Sequence, residues 1–555
     1  MSRIRLLSLS ASALLGLATP VAAQRVLGPW DDASTLRAGT LRVSLGALWD
    51  RANERYDANG KLHALGAAAS PTSWNGAYDA RLLAANPLVA NLSGIGAFDA
   101  SLGTLQVGRR DGSTDVPISV ELGVLSRLTL GASVRVVSHS IETGVVINPG
   151  RIEGTMGFNP AWFTSGAYDR NTLIVSQFDS ASAQTSRRLA QCQASPAGAG
   201  CSSLLGNVSG VQALIASAAV FANTLNALYG GRANAAGLPF VPVSNTTAQL
   251  AIDQRIQGYR DQFAAYGNSN IGTQGPAGAT RFSSNDVARL LSDSLYGYGL
   301  RPLRNVHAYG LAEATVTAKA RLFDNTGADT SAIRGFKIRQ SAGIALRLGG
   351  ANAPAADEVF APSAGSIGGG VTAQSFTDLF YGSRLAASVS VAFSNYGAED
   401  FAVRLPSADA PAVGGVAFPF LRADRQVNLS RTPGARLDVG VMPRLAVTRS
   451  IWLGAAWMYS RQAADSWSIT STPDGDTALP RDATTWAAGT DWVEHRIGLG
   501  GTYSTAAAYR AGKARYNFDV SYEYQQVTTG AGVRVAKLTR DVVSVRWYPT
   551  VWGRH

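Results

Sequence analysis

Polar and apolar residues alternate with a period of two through much of the chain. From Lys513 to Gln525 one wall carries Ala514, Tyr516, Phe518, Val520, Tyr522 and Tyr524. The other carries Lys513, Arg515, Asn517, Asp519, Ser521, Glu523 and Gln525. Successive side chains of a strand point to opposite faces, so the pattern predicts a strand with one apolar and one charged wall. A helix would spread the charges around its circumference. The pattern recurs where Leu128, Leu130, Ala132, Val134 and Val136 oppose Arg127, Thr129, Ser133 and Arg135, and where Val316, Ala318, Ala320 and Leu322 oppose Thr315, Thr317, Lys319 and Arg321. It recurs again where Phe336, Ile338, Ile344, Leu346 and Leu348 oppose Lys337, Arg339, Ser341 and Arg347, and where Leu437, Val439, Val441, Leu445 and Val447 oppose Arg436, Asp438 and Arg444. Weaker alternation marks Leu41–Asp50, Val116–Val124, Arg384–Ser394, Phe401–Leu405, Ile451–Arg461, Val493–Ser504 and Ala536–Tyr548.

The connections between these segments alternate in length. Residues 51–115, 141–307, 349–382, 406–435 and 462–492 are long; 125–126, 324–332, 395–400, 448–450 and 505–512 are short, and 526–535 is intermediate. Up-and-down barrels of the bacterial outer membrane have short turns at one end and longer loops at the other. The expected fold is therefore all-β: an antiparallel up-and-down transmembrane β-barrel of about twelve strands, within a range of roughly ten to fourteen. The competing reading is a soluble antiparallel barrel or sandwich, whose apolar wall would point inward. Small residues on the apolar wall would make a thin soluble core. Aromatics near strand ends (Trp49, Tyr56, Phe323, Tyr396, Trp452, Trp457, Tyr459, Tyr503, Trp547, Tyr548 and Trp552) fit interfacial girdles. Both favour lipid outside.

Residues 141–307 break the alternation. An uncharged helix is expected over Val208–Tyr229, where Gln212, Asn223 and Asn226 argue against exposure to lipid. A second is expected over Thr246–Tyr266, from Ile252, Ile256, Tyr259, Phe263 and Tyr266. A third begins near Ser284 as N-cap. The expected division is a signal peptide at 1–23, an N-terminal leader at 24–37, barrel strands 1–3 at 38–140, a largely helical insertion at 141–307 acting as lid or plug, and barrel strands 4–12 at 308–555.

The signal reading rests on Arg3 and Arg5, the apolar stretch Leu6–Leu17, and small residues at Val21-Ala22-Ala23 before Gln24. The apolar run is short for a transmembrane anchor. The 555-residue chain has a formal net charge of +11, which falls to +9 without Arg3 and Arg5, and on an exported protein this excess points away from nucleic acid. A mean hydropathy of +0.02 is too low for a bundle of membrane helices. The two cysteines, Cys192 and Cys201, are expected to form one local disulfide outside the cytoplasm.

Catalytic signatures are missing from the pattern. His63, His139, His307, His495 and His555 are dispersed without metal-ligand spacing, and there is no G-x-S-x-G elbow, H-E-x-x-H or phosphate-binding glycine loop. No cofactor, no metal and no enzymatic activity are expected. With the apolar wall in lipid, Arg127, Arg135, Lys319, Arg321, Lys337, Arg339, Arg347, Arg436, Arg444, Arg496 and Arg515 would line the lumen. Glu121, Glu313, Asp438, Glu494, Asp519 and Glu523 would sit beside them. They either pair across strands and stiffen the wall, or form a polar path with a basic excess for anionic or polar solutes.

The hairpin Gly123-Val124-Leu125-Ser126-Arg127-Leu128-Thr129-Leu130-Gly131 is similar to one common in outer-membrane barrels. With Ala318–Phe323, Gly434–Arg444 and Arg546-Trp547-Tyr548, it resembles outer-membrane transporters of the aromatic-catabolism channel class and, more distantly, the long-chain fatty-acid transporter family. The resemblance implies passive uptake of small, often hydrophobic molecules and assembly by the barrel-assembly machinery. Such barrels often end on an aromatic residue; here the last is Trp552, followed by Gly553-Arg554-His555. The expected function is a channel or passive transporter in the outer membrane, with lipid as a partner and a small hydrophobic or anionic solute. The alternative is a barrel scaffold or adhesin that presents the insertion at the cell surface.

Overall fold

A computed structural model of the protein describes residues 32–150, 153–231, 237–326, 333–351, 353–361, 368–406, 410–471 and 489–552. The signal-peptide reading, the start of the leader, and Gly553-Arg554-His555 lie outside the described residues. The chain divides into two compact units. One takes the chain up to Ala69, Val107–Gly144, and Leu291 onward; the other takes Ser70–Gln106 and Val145–Leu290.

The first unit is a closed antiparallel barrel of twelve strands. They are β1 (Leu41–Ala52), β2 (Leu105–Leu125), β3 (Leu128–Ile147), β4 (Val306–Asp324), β5 (Phe336–Gly349), β6 (Gly370–Tyr381), β7 (Leu385–Tyr396), β8 (Arg436–Ala446), β9 (Ile451–Gln462), β10 (Trp492–Ser504), β11 (Phe518–Ala531) and β12 (Thr539–Trp547). Each pairs with its chain neighbours, and β1 closes the ring on β12 in a register running from Val43↔Trp547 to Arg51↔Thr539. On the other side of β1, Gly46 sits where an added Cβ would lie 2.9 Å from Cγ of Pro117 on β2, so glycine there accommodates a proline in the neighbouring strand.

Burial in this unit is inverted relative to a soluble protein. Leu45, Val134, Val316, Ile344, Leu346, Val391, Leu453, Leu499 and Tyr522 are exposed on the outer wall, while Arg135, Glu313, Arg347, Arg436, Arg496 and Glu523 are buried on the inner one. A soluble barrel would place these sets the other way round; this one presents hydrocarbon-compatible surface outward. Phe323, Phe336, Tyr381, Tyr503, Trp547 and Trp552 form an exposed aromatic belt at the short-turn end. Four expected girdle residues instead point inward. Tyr56 is buried with Trp492, Val527 and Val535, Trp452 packs near Phe380 and Ala386, Tyr396 lies under the Arg347 guanidinium, and the Tyr548 hydroxyl donates to Asp519.

The strand number matches the expectation, but one member differs. Phe401–Leu405 is not in the barrel: Glu399–Arg404 pairs with Gln426–Thr432, which pairs with Ser466–Ser471, in a separate three-stranded sheet. Phe401, Val403 and Leu405 are buried there, whereas an outer barrel wall would expose them. The ring position belongs to β6, within a stretch expected to be loop. Its alternation is muted because Phe376 and Phe380 point inward and Ser375 and Thr377 outward. The strand expected from Lys513 begins at Phe518, because the chain before it is taken up by the helical turn Ala506–Arg510 and its exit.

The second unit is helical. Its helices are α1 (Ala80–Ser93), α2 (Ser165–Ala194), α3 (Cys201–Leu205), α4 (Val208–Tyr229) and α5 (Thr247–Ala265), with most of α6 (Ser284–Ser292). Helix α5 falls within the expected Thr246–Tyr266, and Thr246 is its N-cap, its hydroxyl accepting from the Gln249 N–H. Ser283 rather than Ser284 caps α6: its hydroxyl accepts from the Asp286 N–H at 3.3 Å, and Asp286 accepts from the Ser283 N–H at 2.8 Å, a reciprocal box. The core joins Phe178, Phe221 and Tyr259, with ring centroids 5.0–5.5 Å apart. Helix α4 is long and apolar enough to cross a membrane by composition. Its Val211, Leu214, Ala218, Phe221, Leu225 and Leu228 are buried in this unit. Cys192 and Cys201 are joined by a disulfide, with Cα atoms 5.3 Å apart, beside Leu189, Leu204 and Val211.

Candidate functional site

Barrel closure turns the charged wall inward and gathers most of its side chains into ion-paired groups. Around β2–β5, Arg135 lies 3.0 Å from Asp115 and 3.7 Å from Glu313, which also meets Arg347 at 3.3 Å. Around β8–β11, Arg436 meets Asp438 at 2.7 Å and covers the Trp492 ring, and Arg496 meets Glu494 at 2.9 Å and donates to Gln525. Burial desolvates each ion, so these pairs and their extra hydrogen bonds keep the charges tolerable. Arg42 pairs with Glu121, and Glu523 is fully buried.

A further group occupies the short-turn end. Arg321 and Arg339 share Asp324 at 3.1 and 3.3 Å, and Arg339 and Arg444 flank Asp378 at 3.8 and 3.9 Å. The Lys319 ammonium lies 4.6 Å from the Phe376 ring centroid and donates to the backbone oxygen of Asp32. Lys337, second residue of β5, is half-buried. Arg127 and Arg515 do not join the inner wall: both lie in connections and are exposed, Arg127 between β2 and β3 and Arg515 before β11. Several members escaped the sequence reading. Asp50, Arg109, Asp111 and Arg540 lie at strand ends beyond or beside the clearest alternation, and Asp378 lies in the unrecognised β6.

The long-loop end of the same unit carries an apolar pocket that opens to solvent. Val359, Phe360, Phe401, Val403, Val416 and Phe418 line it with Arg55, Arg109, Arg404 and Arg534. Arg404 is held by carbonyls, donating to those of Tyr298, Gly299 and Leu421 at 2.6–2.8 Å. Arg55 donates to the carbonyls of Val413 and Gly414 at 2.7 and 3.1 Å. Burial and the nearby Arg109 bring the Arg55 guanidinium down to about 10, with Asp57 acting in the opposite direction. Burial lowers Arg404 and Arg534 as well. Such a pocket offers apolar contact with cationic groups at its edge. Among the described residues no three His, Cys, Asp or Glu side chains gather as a metal site.

No family model matches the chain, and no curated protein matches it. Among solved structures it is similar to an outer membrane channel from Pseudomonas putida F1, with 7% identity and a TM-score of 0.41 over 94% of this chain and 100% of that one. It is also similar to the Pseudomonas putida toluene transporter TodX (11% identity, TM-score 0.24, 98% of both chains). A third similar structure is the translocator domain of the autotransporter NalP from Neisseria meningitidis (8% identity, TM-score 0.26, 92% of this chain and 89% of that one).

Proposed function

We propose that the protein is an outer-membrane channel through which small solutes cross passively. The observation that supports this most is the inverted barrel: an apolar outer wall with an aromatic belt encloses an inner wall of ion-paired arginines and carboxylates. In this reading the protein is exported by its N-terminal signal, inserted by the barrel-assembly machinery and surrounded by outer-membrane lipid. The short-turn end faces the periplasm and the long-loop end the exterior. The apolar pocket with Arg55 and Arg404 at its edge receives solutes with an apolar body, and the inner wall carries them without chemical change. Single-channel recording in planar bilayers tests the reading. Stepwise conductance from the purified protein is expected; a barrel that inserts but carries no current, even with residues 32–37 deleted, would reject it.

A further inference from the structure

The segment before β1 is seated on the inner wall at the short-turn end. The Ala33 N–H donates to Asp378 Oδ2 at 3.0 Å, the Leu36 N–H donates to Thr129 Oγ1 at 2.9 Å, and Lys319 donates to the Asp32 backbone oxygen. Ala33 is fully buried against Phe376. These contacts belong to no ladder of the barrel.

Charge explains the choice of occupant. Lys319, Arg321, Arg339 and Arg444 are the cations of this group, and Asp324 and Asp378 are its carboxylates on the strands. On these strands four cations therefore face two carboxylates, and Asp32 adds a third. Burial opposes ionisation of Asp32, but Lys319, Arg444 and Arg339, with the Ser34 hydroxyl, hold its carboxyl well below the usual range. Beside it, the Ala33 methyl group covers a phenyl ring that already faces the Lys319 ammonium. Carboxylate, small apolar group and cation-facing ring sit together.

Resting on the channel reading above, we infer that Lys319, Arg339 and Arg444, with Phe376, form a binding station for small organic carboxylates, which Asp32 and Ala33 occupy as a tethered stand-in. A solute carboxylate takes the place of the Asp32 side chain, and its apolar body takes the place of the Ala33 methyl on Phe376. The tethered group competes at an effective concentration on the order of millimolar, which keeps the station closed to weak ligands.

Calorimetric titration of the full chain in detergent with sodium benzoate tests the station. Asp32→Asn should bind benzoate about tenfold more tightly than the unmodified protein, because the internal competitor has lost its charge. Asp32→Glu should restore weak binding, and adding Lys319→Gln and Arg444→Gln to Asp32→Asn should abolish the gain. Should Asp32→Asn not refold, Asp32→Ala reads the same quantity. Equal affinity in the unmodified and Asp32→Asn or Asp32→Ala proteins, or a gain that persists without Lys319 and Arg444, overturns the station. Bilayer currents separate the two conclusions. Benzoate binding without conductance rejects the channel and keeps the station, whereas conductance without benzoate binding keeps the channel and rejects the station.

Discussion

Asp50 on β1 and Arg540 on β12 face each other across the seam where the first and last strands meet, in a two-point ion pair with Oδ1–Nε and Oδ2–Nη2 both at 2.6 Å. Both side chains are buried on the inner wall. A planar guanidinium on a carboxylate fixes orientation as well as distance, so the pair sets the register of closure between residues at opposite ends of the chain.

Removing one partner leaves an uncompensated buried charge. Arg540→Ala is expected to destabilise the barrel by about 3–5 kcal/mol, and Asp50→Asn in the same background should cost little more. Urea unfolding in detergent, followed by the gel shift between folded and heated protein, measures both. A strictly additive double variant would show that the pair does not couple the seam.

The outer wall sets a second expectation. Val391, midway along β7, is exposed on the apolar face. Val391→Arg should cost about 2–4 kcal/mol in lipid vesicles if that face meets the middle of the bilayer. An exposed site of a soluble protein would change by about 0.5 kcal/mol or less. Reversible folding into vesicles distinguishes the two.

Acid should loosen the hairpin after β1. Asp57 Oδ1 accepts the N–H groups of Asn59 and Lys61 at 2.8 and 2.9 Å, and Oδ2 lies 3.0 Å from His63 Nε2. Burial pushes its carboxyl upward, but these bonds win and hold it below its usual value. A lowered folded value means the contribution is complete above the unfolded carboxylate value of about 3.9 and disappears as pH falls through the lower folded value. Protease cleavage near residues 57–63 should rise in that acid window. Asp57→Asn should be cleaved at one rate throughout it.

Arg404 ties loops together through carbonyls alone. Arg404→Met keeps its bulk but leaves the Tyr298, Gly299 and Leu421 oxygens without this donor, at a cost of about 1–3 kcal/mol for each one that stays buried and unpaired. Faster proteolysis between residues 405 and 425, with unchanged barrel unfolding, is the expected result.

The Cys192–Cys201 bridge closes a short loop, with a sequence separation of nine. Replacing both cysteines by serine should lower the stability of the helical unit by roughly 2–3 kcal/mol. Thermal unfolding followed by helical circular dichroism should show that loss, with the β signal unchanged.

The helices illustrate what was legible along the chain and what was not. Helix α4 spans the expected Val208–Tyr229 because its apolar residues outnumber polar ones and repeat at helical spacing. Helix α2 went unrecognised, although Asn171, Ile174, Phe178, Ala181, Thr185, Leu189 and Cys192 form one buried stripe at steps of three and four. Polar Asn171 and Thr185 interrupt that stripe, and both are satisfied only through folding: Asn171 donates to the Tyr229 carbonyl and Thr185 meets the Asn268 amide.

Alternation by itself determined the barrel class, its twelve-strand scale and which wall faces outward. Side-chain direction along a strand is a local property of the backbone, and a lipid exterior requires one wall to be apolar. Only the tertiary structure decided that β6, not Phe401–Leu405, completes the ring, that Asp50 meets Arg540, and that Lys319 donates to the Asp32 backbone oxygen. Those outcomes depend on register and closure between residues hundreds of positions apart, where the partner of a charge is chosen by geometry that no local pattern carries. On β6 the inward Phe376 packs against Ala33 and the inward Phe380 against Ala386, contacts that are made only once the chain has folded.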